Sequence, residues 1–331
     1  SSGSAIVVNA SADVPTAFLG VIGYQNIPVT GSSTAKWGSS QLRVALALDT
    51  TGSMSSDGKI GALKTATKNL LDQLKSVAAK NGDVYVSIIP FSKDVNVGKW
   101  NYDKNWVRWD LWEAKNGNCS KSNYNSKSDC ESNGKKWTAA NHNLWNGCLT
   151  DRDKDFDTTN TAPTITNNAT LFPAEQYGSC PKEMMGLSYD WQALKAKADS
   201  LNPSGMTNQG IGIQWAFQSL TASPFTIPPK DSNYKYTEVI ILMSDGLNTQ
   251  NRYSSNRSAI DAREAIACTN AKNAGITIYA VQVNTGGDPT QQVMKNCASD
   301  GSKFFELKQA NQLVATFNSI ATDLSNLRCS K

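Results

Sequence analysis

A nearly continuous apolar segment, followed by a polar loop and an amphipathic pattern, constrains the fold more than any other feature. Residues 42–48 read Leu-Arg-Val-Ala-Leu-Ala-Leu, which is typical of a strand buried on both faces of a sheet. After the polar residues 49–58, apolar side chains recur at helical spacing from Ile60 to Val77, and residues 84–89 predict a second strand. This strand–loop–helix–strand order predicts a parallel sheet wound with helices.

The same alternation returns in the last part of the chain. Helices are predicted over 208–220, 259–274 and 309–328, and strands over 239–243, 276–283 and 303–307. The predicted fold class is therefore α/β, a doubly wound and mostly parallel sheet of the Rossmann-like kind.

Two regions interrupt this pattern. Residues 1–41 are β-rich, and their Pro and Gly content favours short edge strands. Residues 99–201 hold seven of the nine Trp and four of the seven Cys, and they are too long for a structureless loop. The expected organisation is a β-rich segment over 1–41 and one domain over 42–331, interrupted by a disulfide-bonded insertion at about 99–201.

Two patterns within this insertion allow alternatives. Trp106, Trp109 and Trp112 are spaced by three, which fits either an exposed aromatic stripe or, as we favour, a small core. Residues 151–157 alternate acids like a calcium loop, but Phe156 and Ala162 stand where an EF-hand needs Gly and Glu. We therefore expect a solvated charged segment over 151–157.

Composition limits the chemistry. His142 is the single histidine, so a multi-histidine zinc site is impossible, and its surroundings favour a structural role. The net charge of +4 does not suggest a nucleic-acid binder, and no apolar run approaches the roughly 20 residues of a membrane helix. Seven cysteines without a C-x-x-C pair favour an oxidising compartment.

Disulfide pairs are predicted from position in the chain. Cys268 and Cys297 flank a helix–strand–helix stretch around Gly275, where the chain can return on itself. Proximity in sequence favours the pairs Cys119–Cys130 and Cys148–Cys180, which leaves Cys329 unpaired.

Oxygen-bearing side chains follow two predicted strands and precede one predicted helix. Asp49, Thr51 and Ser53 alternate after the first strand, Thr207 opens a helix, and Asp245 follows the strand at 239–243. The carboxyl ends of parallel strands meet at one sheet edge, where open α/β sheets bind ligands. Two carboxylates and three hydroxyls suit a hard divalent cation, whose open position can attract an acidic group of a partner.

These motifs resemble a known metal site. The run Asp-Thr-Thr-Gly-Ser-Met at 49–54, Gly-Met-Thr-Asn at 205–208 and Ser-Asp-Gly at 244–246 resemble the metal-ion-dependent adhesion site of von Willebrand factor type A domains. The resemblance implies that fold, and it implies Asp49, Thr51, Ser53, Thr207 and Asp245 as ligands of Mg²⁺, or of Mn²⁺ or Ca²⁺. Thr51 stands where the family often has Ser, which keeps the hydroxyl.

A second resemblance covers nearly the whole chain. Residues 10–19 (Ala-Ser-Ala-Asp-Val-Pro-Thr-Ala-Phe-Leu), residues 281–289 and the ending Leu327-Arg328 resemble TadG-like proteins of the tight-adherence (Flp) pilus system. Such proteins usually begin with a membrane-spanning, pilin-like segment. The resemblance implies pilus assembly and cell adhesion in a bacterial envelope, periplasmic or surface-exposed, with a membrane anchor upstream of Ser1.

Three functions remain open at this stage. The favoured one is a non-enzymatic domain in which the metal bridges to an acidic side chain of a pilus or envelope protein, with no role for nucleic acid. The alternatives are a metal-dependent hydrolase and a structural scaffold with a vestigial metal site. A hydrolase would need a general base near the ion, and two metals or an Arg/Lys clamp for phosphate. Lys59 and Arg252 are the only cations just beside the metal motifs.

The final helix carries one more alternative. Leu313, Phe317, Ile320, Leu324 and Leu327 are spaced 4, 3, 4 and 3 apart. This stripe is typical of a static amphipathic helix, which we favour, but it would also let the helix slide by one turn as related domains do.

Overall fold

Strands and helices alternate along the described part of the chain. The computed structural model describes residues 5–15, 22, 26–36 and 40–329. The strands are β1 (Ala5–Pro15), β2 (Asn26–Lys36), β3 (Ser40–Asp49), β4 (Val84–Phe91), β5 (Val95–Asn96), β6 (Val107–Arg108), β7 (Gly117–Cys119), β8 (Trp137–Ala139), β9 (Cys148–Leu149), β10 (Phe172–Pro173), β11 (Met185–Ser188), β12 (Lys235–Ser244), β13 (Thr277–Val283) and β14 (Phe304–Leu307). The α-helices are α1 (Lys59–Val77), α2 (Asp110–Glu113), α3 (Lys127–Ser132), α4 (Trp191–Ser200), α5 (Gln209–Thr221), α6 (Arg257–Asn273), α7 (Gln292–Cys297) and α8 (Gln312–Cys329).

The main sheet confirms the predicted fold class. Its order is β14-β13-β12-β3-β4-β5-β9, and β11 also pairs with β4, outside this order. The five strands from β14 to β4 run parallel, whereas β5, β9 and β11 are short and antiparallel. The chain adds β4 on one side of β3 and all later parallel strands on the other. The order of strands therefore reverses between β3 and β12, and ligands bind at such a switch point in open α/β sheets.

Side chains of β3 pack alternately into two separate hydrophobic cores, one on each face of the sheet. Leu42, Val44, Leu46 and Leu48 pack in the core under α1 and α8, whereas the smaller Ala45 and Ala47 face the core under α5 and α6. Small residues let α5 lie close to the sheet, and all its residues from Gln209 to Leu220 are buried. A Cβ at Gly212 would lie 2.6 Å from the Phe91 ring, so only glycine permits this approach.

Three disulfides fix the periphery. The structure pairs Cys119 with Cys130, Cys148 with Cys180 and Cys268 with Cys297, which are the pairs that the sequence favours. The third joins α6 to α7. The side chain of Cys329 lies outside the described residues, so its predicted unpaired state stays a prediction.

The three tryptophans spaced by three in the insertion belong to a core, as expected. Trp112 is buried, and Trp106 and Trp109 pack partly buried against the core under α5. The His142 ring stacks on Trp109 with centroids 3.8 Å apart, and its Nε2 lies 2.8 Å from Glu113 Oε1. The histidine is thus held by packing and a hydrogen bond within the insertion.

The end of the predicted insertion contributes to the main layers. β11 pairs antiparallel with β4, and α4 packs on α1 through the buried Leu194. These two elements therefore extend the sheet and its helical cover.

The expectation of short edge strands near the N-terminus is wrong. β1 and β2 each have 11 residues and pair antiparallel along their full length. Pro15 ends β1, and Pro28 opposes Asp13. A two-stranded ribbon has an open edge on each strand, so proline is tolerated without shortening it. The side chains of residues 7–15 and 26–34 are exposed.

The expectation of a solvated segment at 151–157 is wrong for part of it: Lys154 and Asp155 are exposed, but three other residues are buried. Asp151, Arg152 and Asp157 are buried, at 7%, 1% and 6% exposure. The physical reason is pairing with distant arginines: Arg108 and Arg252 bind Asp153, and Arg263 binds Asp155 and Asp157. Residues 151–157, called the charged segment below, are therefore buried at both ends and exposed in the middle.

No helix within the described ranges is long and apolar enough to cross a membrane.

Candidate metal centre

The first metal motif forms a hydrogen-bonded turn at the carboxyl end of β3. Asp49 is the last residue of β3 and is fully buried. Its Oδ1 accepts a hydrogen bond of 2.7 Å from the backbone N–H of Thr51. The hydroxyls of Thr51 and Ser53 lie 3.1 Å apart. The alternating residues therefore present their oxygens on one side of the turn, as the spacing predicts.

Asp245 joins this turn from the neighbouring strand. It follows β12, and its side chain is fully buried. Oδ1 accepts a 2.7 Å hydrogen bond from Ser53 Oγ, and Oδ2 lies 2.5 Å from the Lys59 ammonium. Four of the five predicted ligands, Asp49, Thr51, Ser53 and Asp245, thus lie in one connected network.

Thr207 is positioned by backbone contacts. The N–H of Gly52 donates to the carbonyl of Gly205 at 2.9 Å, and the N–H of Ser204 donates to the carbonyl of Thr50 at 2.8 Å. Gly205 has φ +89°, a left-handed conformation that favours glycine. Thr207 is 4% exposed. Its hydroxyl has no hydrogen-bond partner among the described residues, so this oxygen is available to a ligand.

We refer to residues 49–55, 204–208 and 244–248 as the metal loops. A shell of polar side chains braces them. Ser244 Oγ donates to Asp49 Oδ2 at 2.5 Å, and Gln209 Nε2 donates to Ser244 Oγ at 3.1 Å. The N–H of Gln209 also donates to Asn248 Oδ1 at 2.8 Å. These bonds tie the start of α5 to the loop after β12, so the oxygens of the site are held before any ion binds.

Burial and a nearby like charge disfavour the charged form of Asp49. Burial, and then the nearby Asp245 charge, raise the pKa of Asp49 to about 7, against hydrogen bonds from Ser244 and Thr51 that lower it. A buried carboxylate is costly unless a cation or hydrogen bonds offset the lost hydration. A divalent cation between these carboxylates would reverse that cost.

The residues present fit a hard divalent cation. The donor set consists of two carboxylates and three hydroxyls, without nitrogen or sulfur, and oxygen-only sets suit Mg²⁺, Mn²⁺ or Ca²⁺. The unpartnered Thr207 hydroxyl and the Lys59 ammonium on Asp245 both indicate a place where positive charge is stabilised. The site lies at the switch point between β3 and β12.

A cleft of about 590 Å³ lies between the insertion and residues 250–252, which follow the last metal loop. Its lining includes Trp112, Lys115 and Glu175 from the insertion, and Gln250 and Arg252 from the loop after β12. The N–H of Gln250 donates to the carbonyl of Thr207 at 3.2 Å, so the cleft adjoins the segment that carries this hydroxyl.

Sequence reasoning missed the supporting residues. Gln209 and Asn248 carry the bracing bonds, and Lys59 contacts Asp245 although it was noted only as a nearby cation. Polar residues at the start of the otherwise apolar helix α5 are the one signal that could have identified Gln209.

A family model described as the von Willebrand factor type A domain matches residues 162–319. This range includes Thr207 and Asp245 and lies after Asp49, Thr51 and Ser53 in the chain. No curated protein matches the chain.

Several solved structures are similar. The pilus adhesin SpaC from Lactobacillus rhamnosus GG is 14% identical with a TM-score of 0.48, and the match covers 90% of this chain and 32% of SpaC. The von Willebrand domain of the type V pili tip protein Mfa5 from Porphyromonas gingivalis is 12% identical with a TM-score of 0.48, covering 88% and 97%. Proximal thread matrix protein 1 from the mussel byssus, solved with a zinc-occupied MIDAS motif, is 14% identical with a TM-score of 0.45, covering 87% and 47%.

The chain thus spans 32% of the length of SpaC and 47% of that of the byssus protein. The family match and the doubly wound sheet agree on the same fold. The chain contains a von Willebrand factor type A domain.

Proposed function

We propose that the chain is a metal-dependent protein-binding domain of a bacterial pilus assembly or adhesion protein. Asp49, Thr51, Ser53, Thr207 and Asp245 would hold one divalent cation, Mg²⁺ in the first instance, with Mn²⁺ or Ca²⁺ as alternatives. When bound, the ion supplies electrostatic attraction for an acidic side chain of a partner.

One observation carries this proposal: three loops bring two buried carboxylates and three hydroxyls to the switch point of the sheet. Hydroxyls are neutral and weak ligands, so this set neutralises a divalent ion less fully than a carboxylate cage does. Such weak ligands leave the ion open to a carboxylate from outside. The cleft lined by Gln250, whose N–H donates to the Thr207 carbonyl, gives a partner further surface to contact.

The pilus setting rests on sequence resemblance. The residues at 10–19 and 281–289 resemble TadG-like proteins of the tight-adherence system, whose members act in the bacterial envelope. We propose the same setting here, with pilus or envelope components as partners and a membrane anchor in the full-length protein.

The contacts of the nearby cations favour binding over catalysis. The Lys59 ammonium is bonded to Asp245, and the Arg252 guanidinium is bonded to Asp153 and to the carbonyl of Asp151. Neither is therefore free to clamp a phosphate. His142, the one histidine, is bonded to Glu113 in the insertion.

Calorimetric titration with Mg²⁺ and Mn²⁺ tests the proposal. The wild-type chain should bind one ion, and Asp49→Ala should weaken binding sharply because it removes a carboxylate ligand. Asp199→Ala is the matched control, since that carboxylate is exposed in an ion pair with Lys68. Equal affinity of wild type and Asp49→Ala would refute the ligand assignment.

A second experiment tests the partner. Purified pilus components of the source bacterium should bind the wild-type chain in Mg²⁺, and chelator or Asp49→Ala should abolish this binding. Binding that persists in chelator would instead favour the scaffold alternative.

A further inference from the structure

Lys59 occupies an unusual position for a lysine. It is the first residue of α1, it is 6% exposed, and its ammonium lies 2.5 Å from Asp245 Oδ2. In the described part of the chain, Asp245 is the one hydrogen-bond partner of this ammonium. The amine is therefore held inside the candidate metal centre, on the oxygen of Asp245 that Ser53 does not use.

Local helix electrostatics do not explain this placement. The N-terminus of a helix carries partial positive charge, so a cation in the first turn is unfavourable. The first turn of α1 contains no acidic residue, and Gly58 offers no side-chain cap. The attraction that keeps Lys59 in place must come from across the sheet, from Asp245.

The backbone before α1 is shaped to deliver this side chain. Asp57 and Gly58 both have left-handed conformations, with φ of 54° and 69°. Such a conformation is uncommon for a residue other than glycine. It reverses the chain between the first metal loop and α1, so that the amine points back to the site.

We propose that the Lys59 ammonium is a fixed positive charge within the metal centre. It lowers the affinity for the metal ion, and it makes binding of the ion depend more strongly on an acidic ligand. This inference rests on the proposed metal site. Without the ion, the ammonium offsets the buried charge of Asp245 and holds the loops together. With the ion, Lys59 adds a second positive charge beside it.

The charge balance gives the direction of both effects. Two carboxylates match the charge of one divalent ion, so the ammonium leaves an excess positive charge when the ion is bound. Repulsion between ammonium and ion weakens binding of the ion alone. A carboxylate from a partner restores the balance, so ion and acidic ligand should each tighten the binding of the other.

The test is Mn²⁺ titration of the full chain at pH 8, with and without acetate as the probe for an acidic group. Lys59→Gln should bind Mn²⁺ on the order of tenfold tighter than wild type, because the repulsion is removed. Lys59→Arg should stay close to wild type because it keeps the charge. Lys68→Gln, on the same helix but on the surface, should change nothing. Acetate should tighten Mn²⁺ binding by a larger factor in wild type than in Lys59→Gln.

The outcomes separate this inference from the proposed function. If the wild type binds no Mn²⁺, the proposed metal site itself is wrong. If the wild type binds Mn²⁺ and Asp49→Ala does not, but Lys59→Gln binds no tighter than wild type, only the role of Lys59 is overturned. If Lys59→Gln does not fold alone, Mn²⁺ should restore its folding, since the ion supplies the missing positive charge. Failure of Mn²⁺ to do so would equally overturn the inference.

Discussion

Two acidic clusters lie within one chain, and they differ in how their charge is matched. In the charged segment, Asp153 forms ion pairs with Arg108 and Arg252, and Asp157 forms one with Arg263. In the metal loops, Asp49 and Asp245 have a single ammonium between them, and it contacts only Asp245. The charges of Asp153 and Asp157 are thus matched by arginine, whereas the two carboxylates of the metal loops share one ammonium among the described residues.

This difference separates a structural ion network from a binding site. The pKa of Asp153 is lowered, first by its hydrogen bond from Arg108, so this carboxylate is stabilised in its charged form. The pKa of Asp49 is raised to about 7 by burial and by Asp245. Acidic residues alone do not indicate a metal; a shortage of compensating cations does.

The largest expected effect comes from breaking the charged segment. Arg263→Ala leaves the Asp157 side chain, which is 3% exposed, without its guanidinium partner. Removing one partner of a buried pair should lower the free energy of unfolding by about 3–5 kcal/mol. Urea unfolding should show this loss equally with and without Mn²⁺. Arg257→Ala, an exposed residue of the same helix, is the control, and a similar loss there would contradict the assignment.

Removing a carboxylate from the metal loops should raise, and not lower, the free energy of unfolding of the metal-free protein. Asp49→Asn relieves the repulsion with Asp245, so the free energy of unfolding without metal at pH 8 should rise by about 1 kcal/mol. In wild type, Mn²⁺ at 100 times its Kd should add about 2.7 kcal/mol, and the variant should lose this gain. Urea unfolding in chelator and in Mn²⁺ measures both. A metal-free variant less stable than wild type would show that Asp49 is structural.

Glu264 provides a third case, a buried carboxyl that pairs with no cation among the described residues. Asn248 Nδ2 donates to its Oε2 at 2.6 Å, while Oε1 has no partner. Burial raises its pKa to about 8 from an ordinary 4.5. The folded state then holds the proton more tightly, so this group's contribution to stability is full below pH 4.5 and falls as the pH rises to 8.

In wild type, Glu264 should therefore make the free energy of unfolding fall by roughly 1.4 kcal/mol per pH unit between pH 5 and 8. Glu264→Gln should remove this fall. The measurement is the free energy of unfolding of both proteins across this range in chelator. Asp323→Asn, an exposed acid of α8, should leave the slope unchanged. Parallel curves for wild type and Glu264→Gln would contradict the raised pKa.

The smallest expected change in the free energy of unfolding comes from breaking an exposed ion pair. Lys68 and Asp199 form an exposed ion pair at 2.7 Å, with side chains 36% and 55% exposed. Lys68→Ala should change the free energy of unfolding by about 1 kcal/mol or less, because water screens such pairs. A larger loss in thermal or urea unfolding would mean that exposed charge also holds this fold.

The sequence predicted those elements whose apolar pattern is local. The apolar run at 42–48 lies within β3, and the helical spacing after Ile60 matches α1. The start of β12 was missed because Lys235, Tyr236 and Glu238 lack the apolar pattern, although they pair in register with β3. Pairing with a neighbouring strand, and not the local pattern, decides that boundary.

Interactions between distant residues were not predictable. The acids of the charged segment looked solvated because their arginine partners lie 45, 99 and 106 positions away along the chain. The metal loops could be predicted because each motif follows a strand or opens a helix, and topology brings such positions together. The contact of Lys59 with Asp245 depends on the left-handed turn at Asp57 and Gly58, which the sequence did not reveal.

One measurement compares both clusters directly: anomalous diffraction from crystals of the chain soaked in Mn²⁺. The account predicts one strong peak bounded by Asp49, Ser53 and Asp245, and none at Asp153 or Asp157, whose charge is already matched by arginine. A peak at the charged segment, or no peak beside Asp49 in saturating Mn²⁺, would contradict it.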